Sequence, residues 1–110
     1  MKGRGVIIKQ LLGVYYNGRN EDVLNNLLTH LYQMFTEYVS GYHNLRDSYS
    51  AISKAMEYSW RAIVTDKVKL SSNPPGYFYL TIGNAVKNQL KSESRYSQKI
   101  KHVFEEVNND

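Results

Sequence analysis

Apolar positions recur every three or four residues through most of this chain, a spacing that predicts helices. The first segment, roughly Val6 to Tyr16, carries Ile7, Ile8, Leu11, Leu12 and Tyr15 at helical intervals. Asn17-Gly18 is a plausible end, since both residues tolerate the left-handed conformation. The same pair also suits a hairpin turn, and Val6-Ile7-Ile8 is β-branched, so both readings stay open there. The second segment is clearer. Asn20 is a cap, Glu21 and Asp22 sit where the helix dipole favours negative charge, and Leu24, Leu27, Leu28, Leu31, Phe35 and Tyr38 mark one face. Gly41 closes it, and Tyr42 to Asp47 form a polar connection.

Asp47 or Ser48 can cap a third helix carrying Ile52, Ala55, Met56, Ser59, Trp60, Ile63 and Val64. That apolar stripe is wider than one contact face needs. Lys67 to Ser72 read as a linker, and Asn73-Pro74-Pro75-Gly76 is the strongest punctuation in the chain. Asn73 as cap with Pro74 in the first helical position is a favourable start, and Pro75 costs little because first-turn N–H groups lack intrahelical partners. Phe78, Ile82, Val86 and Leu90 then form a ridge, with Lys87, Lys91 and Arg95 beside it at the same spacing. Ile100, Val103, Phe104 and Val107 resume the pattern after a polar stretch from Ser92 to Ser97, so the tail reads as one long helix or two. No segment has a period of two. The expected fold is all-α: a single domain over residues 1–110, a compact bundle of about four helices.

Composition narrows the function classes. The 110 residues are 42% hydrophobic and 22% charged, which argues against a wholly disordered chain. Ten tyrosines against three phenylalanines supply apolar area with a polar end suited to interfaces. The absence of cysteine excludes disulfides, thiolate metal sites and cysteine nucleophiles. Fourteen Lys and Arg against ten Asp and Glu give a net charge of +4, compatible with nucleic acid or an acidic protein surface as partner. The basic and then apolar start is interrupted by Lys9 and Gln10 and lacks a signal-peptide cleavage site. No run approaches the ~20 apolar residues that cross a bilayer, so the expectation is a cytoplasmic protein without a membrane partner.

Candidate chemistry is sparse. His30, His43 and His102 lie beyond helical reach of one another, and no ligand motif joins them, so neither a metal nor another cofactor is expected. Gly3-Arg4-Gly5 follows no strand and lacks the third glycine of a phosphate loop. Glu57, Asp66, Glu93, Glu105 and Glu106 read as solvated faces, and no serine sits in a nucleophile elbow. The chain is not expected to be an enzyme. What stands out is the start of the fourth helix, where Tyr77-Phe78-Tyr79 precede the row of Lys87, Lys91 and Arg95. Aromatic rings stack on unpaired bases, at about 1–3 kcal/mol each, cations neutralise phosphates, and Asn84 and Asn88 can pair with base edges. An ordinary amphipathic helix with a solvated basic face is the alternative.

The run from Tyr77 to Lys91 resembles the bacterial sigma-factor helix that recognises and melts the −10 promoter element. That helix often reads Trp-Leu-Tyr, two or three residues, Ala-Arg-Asn, then Asp and Arg at helical spacing. Under this resemblance Tyr77 matches the tryptophan, Tyr79 the tyrosine, Asn84 the asparagine, Asn88 the aspartate and Lys91 the arginine. Ala51 to Lys54 through Trp60 to Ile63 is similar to the preceding sigma helix, whose partner is the clamp coiled coil of RNA polymerase. The similarity spans Asn20 to Tyr96, residues 20–96, the second sigma region, and extends to compact late-gene sigma factors of tailed phages, where an Asn-Pro pair opens the same helix.

The resemblance implies a sigma-like initiation subunit, phage-encoded or carried on a mobile element, acting in a bacterial cytoplasm. DNA-binding residues would be Tyr77, Tyr79, Asn84, Lys87, Asn88, Lys91 and Arg95. Polymerase-binding residues would be Ser53, Lys54, Met56 and Trp60, with Trp60 in the core as the competing placement. Ser53 and Lys54 stand where the family usually has Gln-Glu, which reverses a charge at an expected contact. No second helix-turn-helix region is visible, so a co-activator or second sigma-like subunit is the expected further partner. The alternative from another class is a helical interaction module without DNA contact, such as a phage polymerase inhibitor or structural adaptor.

Overall fold

The computed structural model describes residues 3–108 and contains four α-helices, with no strand among the described residues. They are α1 (Arg4–Gly18), α2 (Glu21–Val39), α3 (Ser48–Val64) and α4 (Pro74–Asn108), with a 3-10 turn at Val68–Leu70 before α4. The expected all-α bundle is therefore present. The first segment is helix and not hairpin, and the tail is one continuous helix of 35 residues. The side chains of Phe104, Glu106 and Val107, three of the residues singled out in the sequence, lie outside the described part.

Three of the four helices are held at their start by a local side-chain cap. Asn20 Oδ1 accepts the Asp22 N–H at 2.8 Å, and Asp47 Oδ1 accepts the Ser50 N–H at 3.0 Å. Asn73 Oδ1 accepts the Gly76 N–H at 3.3 Å, with Pro74 opening α4. Helix α1 has no side-chain cap; its first residue, Arg4, instead donates to Gln33 Oε1 at 2.6 Å and pairs with Glu37. The core lies between all four helices. Ile8 and Leu12 of α1, Leu27, Leu31, Met34 and Phe35 of α2, Ile63 of α3, and Phe78, Ile82 and Val86 of α4 are buried. Helix α3 packs chiefly on α4 and α1 on α2, and Ala51, Ala55, Ala62 and Ala85 keep side chains short along α3 and α4.

Three sequence expectations are corrected. The left-handed residue ending α1 is Arg19 (φ 56°), not Asn17 or Gly18. Its guanidinium bonds Asp66 at 2.6 Å and lies 5.4 and 4.9 Å from the rings of Tyr15 and Tyr16. These contacts offset a conformation that costs a non-glycine residue about 1–2 kcal/mol. Asp66 is also left-handed (φ 64°), so the two positive-φ residues of the described chain are paired with each other. Second, the supposed linker after α3 inserts a fully buried Val68 into the core. Third, the carboxylates are not merely solvated. Glu93 accepts the backbone N–H groups of Arg46 at 2.8 Å and Asp47 at 2.9 Å, tying α4 to the start of α3; Asp66 and Glu57 pair with Arg19 and Arg61.

Two contacts, one at each end of α3, give the fold a pH signature. The Tyr16 hydroxyl donates to the Ile63 carbonyl at 2.8 Å, and burial, reinforced by the negative charge of Asp66, pushes its pKa up to about 12. A raised folded-state value means that this contribution is complete below about pH 10 and is lost as pH rises towards 12. Urea unfolding of Tyr16→Phe should therefore show a protein less stable than wild type near neutrality, with the gap closing in strong alkali. Glu93 works in the opposite direction. The Arg46 N–H, then Gln89 and the Asp47 N–H, hold its carboxyl below the usual glutamate range. Its contribution is present above the ordinary value of about 4.3 and fades as pH falls through the lower folded value. Melting curves of Glu93→Gln should show a smaller loss of Tm on acidification than wild type.

Candidate nucleic-acid interface

Burial of Phe78, Ile82 and Val86 fixes the rotation of α4 about its axis and so decides where every other side chain of that helix points. Tyr77, Thr81, Asn84, Ala85 and Asn88 face α3 across a groove of about 560 Å³. Tyr58, Arg61 and Ala62 of α3 form the other wall together with Lys54, and Thr65 and Lys67 close the end beyond α3. No carboxylate among the described residues lines the groove. Arg61 is partly neutralised by Glu57 one turn away at 2.9 Å, whereas Lys54 and Lys67 are in no ion pair among the described residues. Thr81 Oγ1 is occupied by the Tyr77 carbonyl at 2.9 Å, which leaves the amides of Asn84 and Asn88 as the groove's exposed hydrogen-bonding side chains on α4. Past Asn88 a second recess of about 520 Å³ continues along Lys91, Arg95 and Lys99.

The structure thus brings together Tyr77, Asn84, Asn88, Lys91 and Arg95 from the sequence-derived set. Lys87 lies on the exposed outer side of α4. Tyr79 does not join Tyr77. Two residues along a helix are about 200° apart, so Tyr79 points towards α2, where its ring centre is 6.3 Å from that of Tyr38. The Tyr38 hydroxyl in turn lies 3.2 Å from that of Tyr42, and a Cβ at Gly83 would stand only 3.2 Å from it. A side chain at position 83 would make the Tyr38 hydroxyl give way by a few tenths of an ångström. The bond with Tyr42, together with burial, raises the Tyr38 pKa.

On α3 the polymerase-binding set also divides. Ser53, Met56 and Trp60 recur with Tyr49 on the outward side, where Tyr49 is 75% and Trp60 48% exposed. Trp60 is not a core residue, and Met56 is half-buried against the core edge. Lys54, one residue from Ser53 and therefore about 100° around the helix, belongs to the groove.

Sequence reasoning missed Tyr58, Arg61 and Lys67 as groove residues, and Leu80, which is 65% exposed on the outer side of α4 near Lys87. A signal was available for the first two: Lys54, Tyr58 and Arg61 share the four- and three-residue spacing of a helix face. Lys67 lies outside any periodic segment and carried no such signal. Among the described residues no group of His, Asp and Glu converges as a metal site would need, and no helix is long and apolar enough to cross a membrane. Compared with protein-family models, curated proteins and solved structures, the chain matches none.

Proposed function

We propose that this chain is a sigma-like transcription initiation subunit that attaches to bacterial RNA polymerase through the outward side of α3 and meets promoter DNA along α4. The observation that carries the reading is the α3–α4 groove, where two tyrosine rings and two exposed amides meet cations from the α3 side, with no carboxylate among the described lining residues. Its volume lies within the range of about 300–1,000 Å³ typical of small-ligand sites, enough for an extruded nucleotide. Tyr77 offers a stacking surface, Asn84 and Asn88 can address base edges, and Lys54, Arg61 and Lys67 attract phosphate. Lys91 and Arg95 extend the cationic path along the same helix. Tyr79, against Tyr38 on the α2 side, lies outside this path.

The outward row of Tyr49, Ser53 and Trp60, with half-buried Met56 between them, supplies the polymerase contact in this reading, and a co-activator or second sigma-like subunit remains its further partner. The same row favours one competing reading, a polymerase-binding module that never touches DNA.

Neutralising Lys87, Lys91 and Arg95 together separates the two. These side chains are exposed and in no ion pair among the described residues, so stability should change little, exposed substitutions usually staying within about ±0.5 kcal/mol. Promoter binding by the polymerase complex, followed across a salt series, should weaken and lose about one unit of slope for each phosphate contact removed. Tyr77→Ala should impair strand opening, read with a base-analogue fluorophore at the −10 position, more than duplex binding. An unchanged slope with normal opening would leave the interaction module ahead. For the other face, Trp60→Ala should reduce copurification with polymerase. Its unfolding free energy should fall by less than the about 3–5 kcal/mol typical of a buried tryptophan, because the ring is half in solvent.

A further inference from the structure

Helix α4 outruns its bundle. It has 35 residues against 15 to 19 in the other three, and from Gln98 onward every described side chain is exposed. The projecting end is nonetheless patterned like a packed helix. Tyr96, Ile100 and Val103 follow Phe78, Ile82 and Ala85 at an interval of eighteen residues, which is five full turns, so both trios lie on the same side. Phe78, Ile82 and Ala85 are buried against the bundle, whereas Tyr96, Ile100 and Val103 are 65%, 52% and 58% exposed. The apolar side of α4 thus continues, in register, beyond the helices that cover it.

Electrostatics selects what covers the rest. Arg95 and Lys99 border this stripe along one edge and Lys101 lies beyond the other, and none of the three is in an ion pair among the described residues. Of the carboxylates at either end of the stripe, Glu93 is committed to the N–H groups of Arg46 and Asp47, and Glu105, two residues beyond Val103, forms no ion pair with these cations among the described residues. A second copy packed on the stripe would bring the same cations to the same edges. Duplex DNA would satisfy the cations but present no apolar row to Ile100 and Val103. We propose that the free end of α4 docks an amphipathic helix of another protein, one with an apolar seam matching the i, i+4, i+7 row and acidic residues along its flanks. The proposal shares Arg95 and Lys99 with the cationic path along α4 but does not rest on the DNA reading of the groove. Docking also addresses a stability problem, because a helix end with no packed side is marginal in water.

The full chain can be titrated with two labelled synthetic helical peptides of about five turns that share a leucine seam, one flanked by glutamate and one by lysine. The glutamate-flanked peptide should bind at least about tenfold more tightly and slow amide exchange over residues 94–103. Ile100→Asp combined with Val103→Asp should remove the binding while leaving the melting of the bundle unchanged, since neither residue belongs to the core. Lys99→Glu with Lys101→Glu should reverse the preference between the peptides. Equal affinity for both peptides, or binding that survives Ile100→Asp and Val103→Asp, would overturn the proposal. So would sedimentation showing self-association that those two substitutions abolish, or amide protection of the stripe by duplex DNA and not by the peptide.

Discussion

The burial of one side of α4 is the constraint on which the rest of the molecule depends. Phe78, Ile82 and Val86 are fully removed from solvent, and burying side chains of this kind is worth about 1.5–3 kcal/mol each. A helix has one rotational freedom about its axis, and these residues consume it. Tyr77 must then face the groove, Tyr79 must face α2, and Tyr96, Ile100 and Val103 must emerge along the continuation of the buried side. Site and core are two sides of one element, so neither can turn without the other.

Rotation alone does not make a groove; its second wall must be set at the right distance. Two ties do this from opposite ends of α3. At its start, Glu93 of α4 holds the Arg46 and Asp47 amides, while Asp47 itself caps α3 through Ser50. The Ser50 hydroxyl and N–H hold the Asp47 carboxyl below its usual range, so the capping group stays ionised where it is needed. At the other end, Asp66 and Arg19 meet in left-handed conformations, the Tyr16 hydroxyl reaches the Ile63 carbonyl, and Lys69 lies 5.5 Å from the Tyr16 ring. An exposed ion pair such as Arg19–Asp66 contributes little on its own. Its consequence is geometric: it fixes the exit of α3, with Val68 plugged into the core, and so determines where Lys67 stands at the end of the groove.

Helices, caps and the core ridge were legible in the sequence because each is local. Asn20, Asp47 and Asn73 cap where their side-chain chemistry says they should, and Phe78, Ile82 and Val86 repeat every turn. Contacts between segments distant in the chain were not legible. Glu93 looks like any solvated glutamate until Arg46 arrives beside it, and Val68 is a lone apolar residue without a period to betray it. The end of α1 misled for a related reason. Asn17-Gly18 has the right intrinsic preference, but preference is overridden when Asp66 and two tyrosine rings reward the same conformation one residue later, at Arg19. The candidate site was half legible. Residues on α4 could be phased against the ridge, which would have separated Tyr77 from Tyr79. That Lys54 belongs with Asn84 and Asn88, however, depends on how α3 packs on α4.

Glu93 also marks a division within α4. Up to that residue the helix is stabilised by tertiary contacts; soon after, from Gln98, it exposes every described side chain. Cations are concentrated along this outer half, with Lys91, Arg95, Lys99 and Lys101 in one stretch where Glu93 is already engaged. Such a helix gains nothing for the bundle from its apolar row and loses some stability through self-repulsion of its charges. The two features that disfavour it in isolation, an uncovered apolar stripe and unpaired positive charge, are both relieved by one kind of contact. An acidic amphipathic surface supplies cover and counter-charge at once, so the length of α4 makes physical sense as part of a larger assembly and not as part of the bundle.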